Sequence, residues 1–433
     1  MTSLARLLIR TFFRQVQVEH GERTGSGRPT VLVAHHRNGL VDGLLLMAAL
    51  GRYPRFLGKS TLFRIPVLWP FLKLAGVVPI HRAQDGASTA SNTGAFEVAN
   101  RLLAEGGMVA IFPEGISHDE PGLQPLRTGA ARIALGATQA GVDHVETIAV
   151  ALVYDEKQRF RSRALVRVGV PQPVDRWMKE YRIDDHRAVR SLTADLATRL
   201  REVGPDYASW AEADMLAAVA EIVARTATVL PDDVGLVDQQ QVVGALVSTE
   251  ASARQHAAIE ALRLAYDSYR SHLMLLGIDD AQVAASYRSG RLRWHLAWAL
   301  AKVVGAAPFA AVGTVIHAVP YALVKRLARI PDNEGVRATV KLLGCFVSFS
   351  VVYTALGVLV GEAYGAGLGL LAAAVAPACG YLTVRMTERI HRIGGALSGF
   401  RAVRHGGASI AAVLADRAAV VGAARAAMGR PLP

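Results

Sequence analysis

Thr30-Val31-Leu32-Val33-Ala34-His35-His36-Arg37-Asn38-Gly39-Leu40-Val41-Asp42-Gly43 is the stretch that sets the fold class. Its first five residues are apolar or β-branched and show no polar alternation. That is the pattern of a strand covered on both faces, as in a parallel sheet flanked by helices. The strand stops abruptly on two histidines. Asn38-Gly39 then marks a turn, because both residues tolerate positive φ. Asp42 opens an apolar helical pattern over 43–50.

Moving outward, strand patterns recur at 55–57, 76–80, 108–112, 148–154 and 164–170, with helical patterns at 62–74, 88–105 and 128–140. Strands alternating with helices predict an α/β layer: a mixed, largely parallel sheet flanked by helices. The charged turn 155–163 predicts that the last two strands form a hairpin at the sheet edge. Upstream, Arg6, Arg10 and Arg14 are four apart and fall on one stripe of a helix over 4–17. That helix suits either a headgroup layer or the surface of the domain, and the spaced arginines exclude a cleavable signal peptide.

The 433 residues carry 48 Lys+Arg against 36 Asp+Glu, a net charge of +12, with 52% hydrophobic and 19% charged residues. Such a chain is too apolar to be disordered or wholly soluble, and basic and apolar together favour an anionic membrane surface over nucleic acid. Two cysteines, Cys345 and Cys379, exclude a disulfide scaffold, and the scattered histidines match no metal-ligand spacing. Neither a Gly-x-Ser-x-Gly elbow nor a glycine loop between strand and helix is present, which argues against a serine hydrolase and a nucleotide enzyme.

Residues 176–292 read as a charged helical segment. The apolar runs 303–324, 342–361 and 363–384 are each long enough for a helix to cross a bilayer. The second and third form a tight hairpin around Glu362, beside Gly361, Gly365 and Gly367. The first contains Pro308 and Pro320 and is expected to be re-entrant. Lys325, Arg326, Arg329, Arg337 and Lys341 before the hairpin, with Arg385, Arg389 and Arg392 after it, put both hairpin ends in the cytoplasm. His317 is read as interfacial. The expected organisation is 1–28 surface helix and linker, 29–175 catalytic domain, 176–292 helical segment, 293–390 membrane region and 391–433 cytoplasmic tail.

Two segments carry chemistry. A turn between His36 and Asp42 can fold the carboxylate back onto the imidazole, leaving one ring nitrogen as a general base. The plain alternative makes Asp42 a helix N-cap and the histidines strand-end polar residues. Phe112-Pro113-Glu114-Gly115-Ile116-Ser117-His118 follows another parallel strand, so His36 and Glu114 can meet at one sheet edge, where sites of open α/β sheets gather.

With these motifs the chain resembles the glycerolipid acyltransferases, which act on glycerol-3-phosphate and 1-acylglycerol-3-phosphate. Five residues lie between His36 and Asp42, as in a branch with sequences like Asn-His-Pro-Asn-Gly-Leu-Val-Asp. His35 and Arg37 replace that branch's Asn and Pro. Gly76-Val77-Val78-Pro79-Ile80-His81-Arg82 resembles the second motif, Phe112-Pro113-Glu114-Gly115 is the third, and Pro125-Leu126-Arg127-Thr128-Gly129 continues it. The fourth block, 148–152, lacks the usual proline. The resemblance implies His36 as base and Asp42 as its partner, without a covalent enzyme intermediate. It implies Arg82, Glu114 and Gly115 at the acceptor site, with Lys59 and Arg127 as further phosphate candidates. His35 is a rival base. Backbone N–H groups near Asn38-Gly39 or Gly115 are the expected oxyanion donors. Acyl-CoA or acyl carrier protein would be co-substrate, glycerol-3-phosphate or lysophosphatidate the acceptor, and membrane lipid a partner, with no resident cofactor. The catalytic domain would face the cytoplasm. An inactive acyltransferase-like scaffold and an enzyme for another lipid acceptor are the alternatives.

Overall fold

The computed structural model describes residues 2–65, 68–80, 93–157, 159–226, 228, 231–247, 253–285, 287, 289–331 and 334–429. It divides into two units: Met1–Ser209 with Ala328–Leu342, and Trp210–Leu327 with Leu343–Pro433.

The first unit runs α1 (Thr2–Phe12), β1 (Gln15–Glu19), β2 (Thr30–Ala34), α2 (Leu40–Ala49), β3 (Pro54–Lys59), α3 (Trp69–Leu74), β4 (Val78–Ile80), α4 (Thr93–Ala104), β5 (Met108–Ile111) and α5 (Gly129–Gln139). It continues through β6 (Glu146–Tyr154), β7 (Arg163–Val168), β8 (Gln172–Pro173), α6 (Asp175–Ile183) and α7 (Asp185–Val203). The sheet order is β1-β7-β6-β2-β5-β3-β4, with β8 also on β6. Every pairing is parallel except those of β7 and β8 with β6. The expected mixed, largely parallel sheet is therefore present.

β2 lies at the centre between β5 and β6 and all five of its residues are buried, which is why its sequence shows no alternation. Val31, Val33, Val109, Ile111 and Ala149 from the sheet form one core with Ala99 and Leu103 of α4, Ile133 and Leu135 of α5, Trp177 of α6, and Leu192, Leu196 and Leu200 of α7. Its buried apolar area is the main stabilising term of the unit. Asp184 caps α7 by accepting from the Arg187 amide at 2.9 Å.

Four expectations about boundaries change. The surface helix expected over 4–17 ends at Phe12, and Gln15–Glu19 becomes β1. The alternation of Gln15-Val16-Gln17-Val18-Glu19 is a strand signal that the arginine stripe masked. Because β1 pairs with β7, the β6–β7 hairpin lies inside the sheet and not at its edge. α1 buries Ala5, Leu8, Ile9 and Phe12, and Arg6 Nε donates to Ala48 O of α2, so its apolar stripe covers the domain. Finally, α6 and α7 belong to the first unit, since their apolar faces complete its core; the unit extends to Ser209, past the limit of 175 expected for the catalytic domain.

The second unit contains α8 (Trp210–Ala224), α9 (Leu236–Val247), α10 (Ala253–Leu276), α11 (Asp280–Ala284), α12 (Ser289–Leu327), most of α13 (Glu334–Tyr364), α14 (Ala366–His405) and α15 (Gly407–Met428). Four helices are long and apolar enough to cross a membrane: Arg293–Leu327, Val336–Tyr364, Ala366–His405 and Gly407–Met428. α13 and α14 meet at Gly365, whose φ of +97° favours glycine. Gly357 and Gly361 face Gly369 across this hairpin, small residues that let two apolar helices approach.

α12 is not broken at Pro308 or Pro320; it continues as one 39-residue helix. Thr383 on α14 donates to Ala310 O at 2.8 Å, tying the two helices together. His317 is engaged by its own helix and two others. Its Nδ1 donates to Gly313 O at 2.7 Å and its Nε2 accepts from the Tyr353 hydroxyl of α13 at 2.7 Å, while Gly380 of α14 leaves room for the ring. In place of the expected tail, α14 runs on to His405 and α15 joins the bundle. Asp416 accepts from His272 of α10 at 2.6 Å, and Arg417 donates to Asp280 of α11 at 2.7 Å. A helix with these charges engaged at its middle is a bundle helix, whatever its length.

Candidate active site

Register brings the chemical motifs together. Val33 of β2 stands opposite Ile111 of β5, so the loops carrying His36 and Glu114 leave the sheet side by side. Ala34 stands opposite Val150 of β6, and β6 continues four residues further to Tyr154. At ~3.3 Å per residue this carries Tyr154 about 13 Å beyond the end of β2, level with the turn.

That turn folds Asp42 back onto His36. Gly39 takes φ +56°, ψ −130°, a conformation open to glycine, and α2 starts at Leu40, so Asp42 lies in its first turn and does not cap it. His36 Nδ1 lies 3.0 Å from Asp42 Oδ2. The same oxygen accepts from the Asn38 amide at 2.7 Å, and Oδ1 accepts from the Tyr154 hydroxyl at 2.5 Å. The Asp42 side chain is 0% exposed against 16% for His36. A carboxylate can only accept, so Nδ1 carries the proton and Nε2 keeps its lone pair. The ring stacks on Phe112 at 4.2 Å between centroids, 10° between planes, and Phe112 stacks in turn on Phe56. Of the two readings of His36 and Asp42, the helix N-cap is not what forms: the carboxylate turns onto the imidazole.

His35, the rival base, is 2% exposed. It is buried against Gly204, where a Cβ would collide with its ring. Burial, with Arg37 nearby, pushes its imidazole down to about 4. A group that reluctant to take a proton is unsuited to act as a base near neutrality.

Glu114 was expected at the acceptor site. Its carboxylate lies beneath the site, fully enclosed. Oε1 accepts from the His36 amide at 2.9 Å; Oε2 accepts from the Gln124 amide at 3.1 Å and from His118 Nε2. His118 Nδ1 accepts from the Glu120 amide at 3.1 Å, which leaves its proton on Nε2, facing Glu114. Burial alone would raise the Glu114 carboxyl, but the bonds from His118 and the His36 amide outweigh it and hold the group below its ordinary value. Glu114 thus ties the Phe-Pro-Glu-Gly loop to the backbone of His36.

Gly115 takes φ +76°, and the Arg127 side chain crosses it, with Arg127 Cγ 3.2 Å from where a Cβ would sit. The Arg127 guanidinium is exposed and makes no hydrogen bond or ion pair among the described residues. Lys59 is half-buried at the end of β3. Arg82 and His81 lie outside the described residues.

The expected backbone oxyanion donors are already engaged. The Asn38 amide serves Asp42, that of Gly39 donates to Ser117 Oγ at 3.2 Å, that of Leu40 to Thr339 Oγ1 at 3.3 Å, and that of Gly115 to Phe112 O at 3.1 Å. These four amides hold the turn and the loop in place. Tyr154 escaped sequence reasoning. It ended the strand pattern at 148–154, but only the β2–β6 register reveals what it reaches.

The profile of the family described as Acyltransferase matches residues 15–152. The segment over 15–152 is therefore a domain similar to that family. That domain is 36% identical over 126 residues to glycerol-3-phosphate O-acyltransferase 2 of Saccharomyces cerevisiae, covering 28% of this chain and 17% of that protein. It is 28% identical over 158 residues to human 1-acyl-sn-glycerol-3-phosphate acyltransferase beta, covering 36% of this chain and 55% of the relative. The matches thus span a sixth to about half of these relatives' length. Among solved structures, the acyltransferase PlsC of Thermotoga maritima aligns at 17% identity with a TM-score of 0.34, over 47% of this chain and 76% of its own. The matched domain includes β1 at its start and most of β6 at its end.

Proposed function

We propose that the acyltransferase domain moves a fatty acyl group from the thioester of coenzyme A or acyl carrier protein to a hydroxyl of glycerol-3-phosphate or 1-acylglycerol-3-phosphate. The observation that carries this reading is the His36–Asp42 pair, with Nδ1 fixed and Nε2 open beside the Phe-Pro-Glu-Gly loop. His36 Nε2 takes the proton of the acceptor hydroxyl as its oxygen attacks the thioester carbonyl. Asp42 stabilises the imidazolium that forms. The tetrahedral intermediate collapses, the C–S bond breaks, and the thiolate recovers the proton from His36. No acyl-enzyme is needed, because the substrate supplies the alcohol.

Arg127, Arg82 and Lys59 are the cations assigned to the acceptor phosphate, the guanidinium forks being suited to two phosphate oxygens. Relatives named for both acceptors support the class and leave the choice between them open. The test is an acyl-transfer assay on membranes with labelled acyl-CoA, offering each acceptor separately. Labelled acyl product from at least one is expected. No transfer to either, with His36 intact, would favour an inactive scaffold or another acceptor.

A membrane setting is favoured by the long apolar helices. Gln282 of α11 donates to Gly395 O at 2.8 Å, and Tyr287 packs against Phe400 at 6.1 Å. The start of α12 and the end of α14 are therefore held in one bundle, and the chain between them must cross the bilayer an even number of times. The α13–α14 hairpin accounts for two crossings, which leaves α12 lying along the leaflet. Exposed Trp294 and Trp298, with Lys302 over the Trp298 ring at 4.9 Å, suit that interface. The basic residues flanking the hairpin make this side cytoplasmic, and the catalytic domain shares it, since no candidate span precedes α12 among the described residues. In a variant without Cys345 and Cys379, single cysteines at Trp294 and Arg329 should react with an impermeant maleimide from the same side, and one at Gly365 from the other. Opposite labelling of Trp294 and Arg329 would exclude the in-leaflet α12.

A further inference from the structure

The carboxylate that holds the base has a second neighbour. Tyr154, last residue of β6, donates its hydroxyl to Asp42 Oδ1, the oxygen that His36 does not use. Its ring stacks on Phe13 at 5.7 Å, 24° between planes; Phe13 is 1% exposed and packs edge-on against Phe12 at the end of α1. Two backbone bonds fix this corner, from the Arg14 amide to Ser162 O at 2.9 Å and from the Arg161 amide to Phe12 O at 2.6 Å. The phenol is thus held by α1 and the β6–β7 connection, independently of the turn that carries the base. Burial first, then the Asp42 charge, push the phenol well above its ordinary range, so it stays a neutral donor.

We propose that Tyr154 is a positioning residue that sets the basicity of His36 through Asp42. This rests on His36 being the base. A carboxylate that accepts from a phenol shares its negative charge with that donor and has less to offer the imidazole. Removing the phenol hydroxyl returns charge to Asp42, favours the imidazolium, and raises the pH at which His36 loses its proton. The other ionisable neighbours are Arg37 and His35 on the turn, Glu114 with His118 on the β5 loop, and Asp206 and Tyr207 after α7. None of them is altered when Tyr154 becomes phenylalanine, and the stack on Phe13 survives.

The experiment is the pH profile of kcat/KM for Tyr154→Phe in the membrane assay, beside wild type and His36→Gln. The acid limb reports the base of the free enzyme. It should move to higher pH by on the order of one unit, with kcat/KM at the optimum lower by about tenfold and the acceptor KM little changed. The midpoint of the limb does not depend on how much protein is active, so partial misfolding cannot mimic the shift. A rate that falls with the limb unmoved would make Tyr154 structural only and overturn the inference. Wild-type rates in His36→Gln would instead overturn the assignment of the base.

Discussion

Replacing His36 with glutamine is expected to lower kcat/KM for acyl transfer by about 10³-fold, from the 10²–10⁴ that a positioned general base contributes. That loss corresponds to roughly 4 kcal/mol of transition-state stabilisation. Glutamine fills much the same space, and its amide can still donate to Asp42 Oδ2, so the turn keeps its bond to α2. What disappears is a group able to accept a proton and return it. The melting temperature should therefore stay close to wild type, and the acceptor KM should change little. A fall of less than about tenfold would fall short of that contribution and remove His36 as the base. The effect should also be specific to His36, since His35 is held neutral by burial and packs against Gly204.

The sheet and the motif residues could be read in the chain because each depends on local pattern. β2 matches its expected limits residue for residue, since a central strand must be apolar throughout. His36, Asp42 and Glu114 were legible as types at strand ends. Their roles depended on partners far away in sequence. Glu114 reads as a substrate-facing residue in the sequence, whereas three donors, His36 N, Gln124 N and His118 Nε2, occupy both its oxygens. β1 was hidden because an arginine repeat of four residues overran a five-residue alternation. Tyr154 needed the β2–β6 register, a property of the assembled sheet. The apolar helices were legible by length, but Asp416 and Arg417 of α15 acquire meaning only from His272 and Asp280.

Glu114→Gln should cost stability as well as activity, and the cost should depend on pH. The amide oxygen can still accept from the His36 amide, but the new NH₂ then faces two donors, Gln124 N–H and His118 Nε2–H. His118 could turn Nε2 into an acceptor only by moving its proton to Nδ1, which meets the Glu120 amide, another donor. At least one buried donor is therefore left without an acceptor in either tautomer, at about 1–3 kcal/mol for each group so stranded. A loss of about 2–4 kcal/mol lowers the melting temperature by roughly 5–15 °C for a unit of this size. Activity falls as well, because the His36 backbone loses part of its anchor. The Glu114 carboxyl is held below its ordinary 4.5, so its contribution is complete above that value and fades as pH falls from there through the folded-state value. The gap between wild type and Glu114→Gln should accordingly be widest near neutrality and narrow below about pH 4.5, followed by thermal melts in detergent across that range. An equal gap at every pH would mean that the ionised carboxylate is not what holds the loop. In that case the His36 amide would have to be positioned by the packing of Phe112 and the turn alone.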